Sequence, residues 1–208
     1  KTWDVILPQI MDRSDADAVS AVLQGDVERY AELVDRYQSQ ALKVAFSLLG
    51  NYDDAKDASQ EAFFRAYRAL ARFRGGAKFS TWLYRIVVNE CKDVYKRRAR
   101  APRATLVVGE PSASDEPSLF VDVGDPAANP GDQGSNRELG QRISAAIGAL
   151  PDKQRTAFVL HHVHGLPLED VAAIMQCRLG TVKSHIFRAT DHLRCALGPW
   201  VAQEGILT

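Results

Sequence analysis

Apolar residues recur every three or four positions through most of the chain, and no window alternates apolar with polar residues in the manner of a strand. Val27, Tyr30, Leu33, Val34, Tyr37, Leu42, Ala45, Phe46 and Leu49 form one such series, opened by Asp26 and closed by Gly50-Asn51. Asp53 opens the next, with Ala58, Ala62, Phe63, Ala66, Tyr67 and Leu70 as its apolar set. A short helix before these is capped by Asp15 or Asp17 and ends at Gly25. Gly75-Gly76 breaks the third helix, and Ser80 can cap a fourth. Helical spacing returns over residues 137–150, which stop before Pro151, and over residues 152–164. It continues over residues 168–175 and, after Gln176-Cys177-Arg178, over residues 179–197. The pattern predicts an all-α chain of two small helical domains.

Residues 79–98 carry the most chemistry. At about 100° per residue, Trp82, Arg85, Asn89, Lys92, Asp93 and Lys96 share one helix face. Leu83, Tyr84, Val87, Val88, Cys91, Val94 and Tyr95 share the opposite one, which requires a core. An aromatic ring in a row with amide, ammonium and guanidinium donors suits unpaired nucleic acid, which binds by stacking and by phosphate contact. An ordinary solvated helix with a basic last turn that suits its dipole is the alternative. For Trp82, the alternative is a half-buried core position.

The last two helical segments form a helix-turn-helix pattern. Val171, Ala172, Ile174 and Met175 would pack on Val182, Ile186, Ala189 and Leu193. The other face of the last helix then presents Thr181, Lys183, Ser184, His185 and Arg188, short polar and basic groups suited to phosphates and major-groove base edges. A plain helical hairpin is the alternative.

Composition refines this picture. At 208 residues with 46% apolar positions, the chain can fill one large or two small cores. No apolar run approaches the ~18 residues of a membrane span, and no secretory leader is visible. Three widely spaced cysteines, Cys91, Cys177 and Cys195, fit a reducing compartment. The net charge of zero conceals a pattern: residues 15–103 carry 16 Lys and Arg against 12 Asp and Glu, a net of +4. Residues 104–136 carry none against 6, and residues 137–208 carry 8 against 6. Two basic blocks therefore flank an acidic connector, whose Pro102, Pro111, Pro117, Pro126 and Pro130 mark a flexible linker with a Leu119-Phe120-Val121 cluster that can dock or stay solvated. Nucleic-acid binding needs only local positive surface.

These residues carry a family resemblance. Gly25-Asp26, Tyr37 and Leu48-Leu49-Gly50-Asn51 resemble the opening helices of domain two of an extracytoplasmic-function (ECF) sigma factor, sigma-70 family, of bacterial RNA polymerase. The run from Asp53 to Phe63 resembles its core-binding helix. Phe73-Arg74-Gly75-Gly76 and Phe79-Ser80-Thr81-Trp82-Leu83-Tyr84-Arg85-Ile86, with Asn89, resemble its DNA-melting segment. Leu150-Pro151, Arg155, Gly165-Leu166, Asp170-Val171-Ala172 and Gly180-Thr181-Val182-Lys183-Ser184 resemble sigma domain four.

The resemblance implies a factor that binds core polymerase, recognises −10 and −35 promoter elements and promotes melting, without being an enzyme. It implies an N-terminal extension (1–14), domain two (15–100), the linker (101–136), domain four (137–198) and a tail (199–208). Asp54, Asp57, Gln60, Glu61, Phe63 and Phe64 would meet the clamp helices of the largest polymerase subunit, and domain four its flap. Lys78, Phe79, Ser80, Thr81, Trp82, Arg85, Asn89, Lys92, Lys96 and Arg97 would hold the −10 strand, with Arg98 and Arg100 on phosphates. Arg178, Thr181, Lys183, Ser184, His185 and Arg188 would meet the −35 element. The resemblance also implies an anti-sigma partner, a cytoplasmic location and no cofactor. The family often has Arg where this chain has His185 and Thr190, and Gly where it has Gln176, a position at which a left-handed backbone would be strained.

Two other readings compete. A helix-turn-helix regulator that does not bind core polymerase leaves the aromatic-basic helix unexplained. A metal-binding sensor would use His161, His162, His164 and Cys177. Adjacent His161 and His162 are expected on different helix faces, and no second Cys lies close in sequence, so surface or capping histidines are the expectation and no metal is assigned. Cys91 is expected to be a buried small hydrophobe.

Overall fold

The computed structural model describes residues 13–100 and 130–203. Among these residues every element is helical. A first group comprises α1 (Arg13–Leu23), α2 (Arg29–Leu49), α3 (Tyr52–Ala69) and α4 (Phe79–Arg100). A second comprises α5 (Pro130–Gly148), α6 (Asp152–Phe158), α7 (Leu168–Met175) and α8 (Leu179–Gln203). The expected N-terminal extension up to residue 12, the linker prolines through Pro126 and the Leu119-Phe120-Val121 cluster lie outside the described residues.

In the first group α2, α3 and α4 pack on one another and α1 lies on α2. On α3 the inward positions are Ala55, Ala58, Ala62 and Ala66, all buried. Their spacing makes a stripe of small side chains, so the larger residues of its neighbours come close. From α2 these are Leu33, Val44, Leu48 and Leu49; from α4 they are Leu83, Val87, Val88 and Val94. Burying each such side chain contributes about 1.5–3 kcal/mol. Cys91 belongs to this core at 2% exposure, and burial pushes its thiol up to about 12.

Helix ends differ from expectation in informative ways. Neither Asp15 nor Asp17 precedes α1, which already includes Arg13: Asp15 lies inside the helix, 2% exposed, paired with Arg36 and accepting from the Tyr37 hydroxyl at 2.5 Å. A buried carboxylate needs such partners. Asp26 does not open α2, which begins at Arg29; it sits in the preceding turn, where its carbonyl accepts the Arg29 N–H. The N-cap of α3 is Asn51, whose side chain accepts the Asp54 N–H at 2.9 Å. Gly50 ends α2 at φ 68°, which its missing Cβ permits. Ser80 is not a cap, because α4 starts at Phe79 and the Lys78 carbonyl accepts the Trp82 N–H.

In the second group α6 and α7 pack on α8, with α5 alongside. Val171 and Ile174 of α7 are buried, as are Val182, Ala189 and Leu193 of α8, the helix-turn-helix packing expected from spacing. The turn passes through Gln176 at φ 53°, the left-handed backbone anticipated there. Residues 130–136, expected as linker, form the first turns of α5, with Pro130 at the first helical position, where its missing N–H costs no bond. Likewise α8 runs beyond the expected residue 197 to Gln203, with the Arg142 guanidinium over the Trp200 ring, 5.6 Å from its centroid. After α6 the chain makes one π-helical turn, Val159–Val163, before His164.

Candidate nucleic-acid interface

The loop before α4 turns at Gly75, φ 65°, and delivers Phe79 into the core at 0% exposure. There its ring lies 5.6 Å from Tyr37, 5.9 Å from Phe73 and 5.7 Å from Trp82, centroid to centroid. Phe79 therefore cannot touch DNA in this structure, and its expected −10 contact is corrected: an aromatic at the first helical position is taken by the core. Trp82 is half-buried, stacked at a tilt on Phe73 at 5.0 Å. Beyond it, Ser80, Arg85 and Lys92 are half-buried, whereas Asn89, Lys96, Arg97 and Arg98 are exposed. Lys96 also pairs with Asp93 at 3.3 Å. Burial holds the Lys92 ammonium below its ordinary range, and Lys96 and Lys153 add to that.

Two other helices cover parts of this row: α7 lies on α4, and Asp152, Arg155 and Thr156 of α6 border Lys92. Asp170 Oδ1 accepts the Thr81 hydroxyl at 3.2 Å, and its Oδ2 lies 3.4 Å from Lys78 Nζ. Thr81 is only 5% exposed. The same seam holds Arg155, 7% exposed, which donates to the Tyr95 hydroxyl while stacking over that ring, 4.6 Å from its centroid. Tyr95 in turn donates to the Leu48 carbonyl. At the far end His164 Nδ1 lies 3.2 Å from Gln40 Nε2, and its Nε2 lies 3.1 Å from Ser47 Oγ. Burial lowers His164 to about 4, with Lys43 adding a like charge.

The acidic face of α3 is a separate surface. Asp57, Gln60, Glu61 and Phe64 are exposed, Phe64 at 62%, while Asp54 is tied to Arg98 and Glu61 to Arg65. Phe63, at 8% exposure, packs into the core and also lines an open groove beside Phe64. Adjacent helix positions differ by about 100°, so Phe64 stands outward while Phe63 forms the inner wall of the groove. The groove has a volume of about 1050 Å³ and is walled by Val27, Tyr30, Val34 and Leu42 of one side and by Gln60 and Tyr67 of the other.

On α8 the exposed arc carries Thr181, Lys183, Ser184 and Arg188, with Arg178 exposed in the turn before them. His185 is half-buried, its Nδ1 lacks a partner, and burial, Lys153 and Arg188 lower its pKa. It thus sits at the edge of the recognition face, not its centre. Phe187, 74% exposed on that same arc, escaped the sequence reading. An apolar residue on an otherwise polar helix face was the signal for it. Asp170 and His164 had no such signal, since their partners lie 89 and 117 positions away.

The histidines do not act together. His164 is engaged by α2, His161 Nδ1 lies 2.9 Å from the Leu166 carbonyl, and His162 lies against Phe158. The rings of His161 and His162 meet edge-on at 4.8 Å, with His161 half-buried and His162 exposed. Among the described residues no group of three or more His, Cys, Asp or Glu could hold a metal ion, and no helix is long and apolar enough to cross a membrane.

Comparison with known proteins places the chain in a family. Residues 33–101 match the Sigma-70 region 2 model and residues 140–193 the Sigma-70 region 4 model. The RNA polymerase sigma-H factor of Pseudomonas aeruginosa is 38% identical over 189 residues, spanning 89% of this chain and 94% of that protein. The ECF RNA polymerase sigma-E factor of Escherichia coli K12 is 38% identical over 192 residues, spanning 90% and 96%. Among solved structures, CnrH in complex with the cytosolic domain of CnrY superposes with TM-score 0.64 at 22% identity, covering 89% of this chain and 98% of that one; this likeness is one of fold. RpoE of Bartonella quintana, in complex with the anti-sigma factor NepR, superposes with TM-score 0.62 at 25% identity, covering 81% and 96%. The chain belongs to the sigma-70 family, as an RNA polymerase sigma factor of the ECF type.

Proposed function

We propose that the sigma activity of this chain is divided among three surfaces. The face of α3 with Asp57, Gln60, Glu61 and Phe64, together with the adjoining groove, meets core polymerase. An exposed aromatic on the same helix face as Asp57 and Glu61 is suited to a basic helical partner, which charge steers and the ring anchors. The α4 row with Trp82, Arg85, Asn89, Lys92, Lys96 and Arg97 holds the −10 strand, while Lys78, Ser80 and Thr81 border the melted base. Extruding a base costs a few kcal/mol of stacking and pairing, which a pocket must return. The α8 face, with Arg178, Thr181, Lys183, Ser184, Arg188 and Phe187, reads the −35 duplex. Phe187 suits a thymine methyl group.

The observation that carries this reading is the α4 row itself, in which a half-exposed indole stands beside cations on one helix face. Domain two (15–100) and domain four (137–198) divide the work, the protein acts in the cytoplasm, and the chemistry of chain synthesis stays with the polymerase. An anti-sigma partner follows from similarity to the B. quintana factor solved with NepR. Promoter opening by the holoenzyme, followed by permanganate reactivity of unpaired thymines, tests the central surface. Trp82→Ala is expected to reduce opening by tenfold or more while duplex binding falls less than threefold. Equal loss of both contradicts a melting role.

A further inference from the structure

The −10 face proposed above is not free in this structure. Thr81 is 5% exposed and donates its hydroxyl to the Asp170 carboxylate at 3.2 Å, and the same carboxylate reaches Lys78 at 3.4 Å. A carboxylate and a phosphodiester offer the same chemistry to such donors: anionic oxygens that accept charge-assisted hydrogen bonds. Lys92, further along the row, is half-buried with Lys153 of α6 near it. We propose that α7 masks the −10 face in cis, with Asp170 standing where a phosphate of the melted strand would stand, so that strand binding requires domain four to leave domain two. The inference rests on the −10 reading of α4 and adds a competitor to it.

Closure has other supports along the seam. Arg155 stacks on Tyr95, which is tied to Leu48, and His164 bridges Gln40 and Ser47. Asp170 is therefore one contact of several, and removing it loosens the mask without abolishing it. Apparent affinity for the strand scales with the open fraction, so any loosening appears as tighter DNA binding. Glu169, next in sequence on the same first turn, is exposed. It carries the same charge, so neutralising it controls for long-range electrostatics.

The test measures anisotropy of a fluorescein-labelled, mixed-sequence single-stranded 20-mer with the full chain, alongside the radius of gyration from small-angle X-ray scattering. Asp170→Asn keeps the oxygen that accepts the Thr81 hydroxyl but removes the part-exposed ion pair with Lys78, and is expected to tighten binding about two- to fivefold and to expand the chain. Glu169→Gln should change affinity less than twofold and leave the radius unaltered. Equal gains from both variants overturn the mask, leaving only charge. No gain from Asp170→Asn, while Arg85→Ala still weakens strand binding, overturns the mask and keeps the −10 reading. An Arg85→Ala chain that binds the strand as well as the parent overturns the −10 reading, and the mask with it.

Discussion

Replacing Phe79 by alanine separates a core role from a DNA role. The ring is 0% exposed and packs within 6 Å of three other aromatic rings, those of Tyr37, Phe73 and Trp82. Truncating a buried Phe removes its transfer energy and leaves a cavity, at a cost of about 3–5 kcal/mol. The tilted and edge-on ring contacts place this site toward the upper end, since each aromatic pair contributes about 0.5–1.5 kcal/mol beyond its area. Whole domains are stable by only about 5–15 kcal/mol, so the loss is a large fraction of the total. With a urea slope of about 2 kcal/mol per molar, the midpoint should fall by roughly 2 M. Urea titration followed by circular dichroism at 222 nm and by indole fluorescence reads this directly. Phe79→Leu should recover more than half of the loss. A midpoint shift below about 0.5 M for Phe79→Ala, the size expected of a surface substitution, would refute the core assignment and return Phe79 to the DNA face.

Three further outcomes follow from the geometry. Burial lowers His164 to about 4, so the closed seam binds it neutral; its contribution is complete above the open-state value near 6.5 and declines as pH falls toward 4. Closure should weaken by roughly 1 kcal/mol at pH 5.5, seen as an expanded radius of gyration, and His164→Gln should flatten that dependence. Gln176→Gly should stabilise the chain by about 0.5–1 kcal/mol in thermal melts, because φ 53° suits glycine; a lower melting temperature would contradict this. Phe187→Ala should leave the melting temperature unchanged, since the ring is 74% exposed, yet weaken −35 duplex binding by about 1 kcal/mol in a mobility-shift titration.

Much of the fold is legible in the sequence because local periodicity and helix stops decide it. Most of the apolar series of α2, α3 and α4 became the core, although Val27 before α2 and Tyr67 on α3 are exposed, and Gly50 and Gln176 adopt the left-handed backbones their positions demand. Helix starts were less legible. Asp15 and Ser80 have the chemistry of caps, but tertiary partners claimed the first and an earlier start enclosed the second. Within the site, helical spacing places Trp82, Arg85 and Asn89 on one face, yet it cannot tell which end of that face the core absorbs, and Phe79 was absorbed. The seam was not legible. Asp170 with Thr81, Arg155 with Tyr95 and His164 with Ser47 join positions 60 to 117 residues apart, and no periodicity connects them.

As a sigma factor, the chain directs polymerase to promoters. In vitro transcription of a genomic fragment library by core RNA polymerase, with and without the full chain and with 5′ ends mapped, tests this most directly. Added protein should create new starts that share two sequence elements at fixed spacing upstream, and Asp57→Lys with Phe64→Ala should abolish them. Starts identical to those of core polymerase alone, or new starts with no shared elements, would contradict the claim.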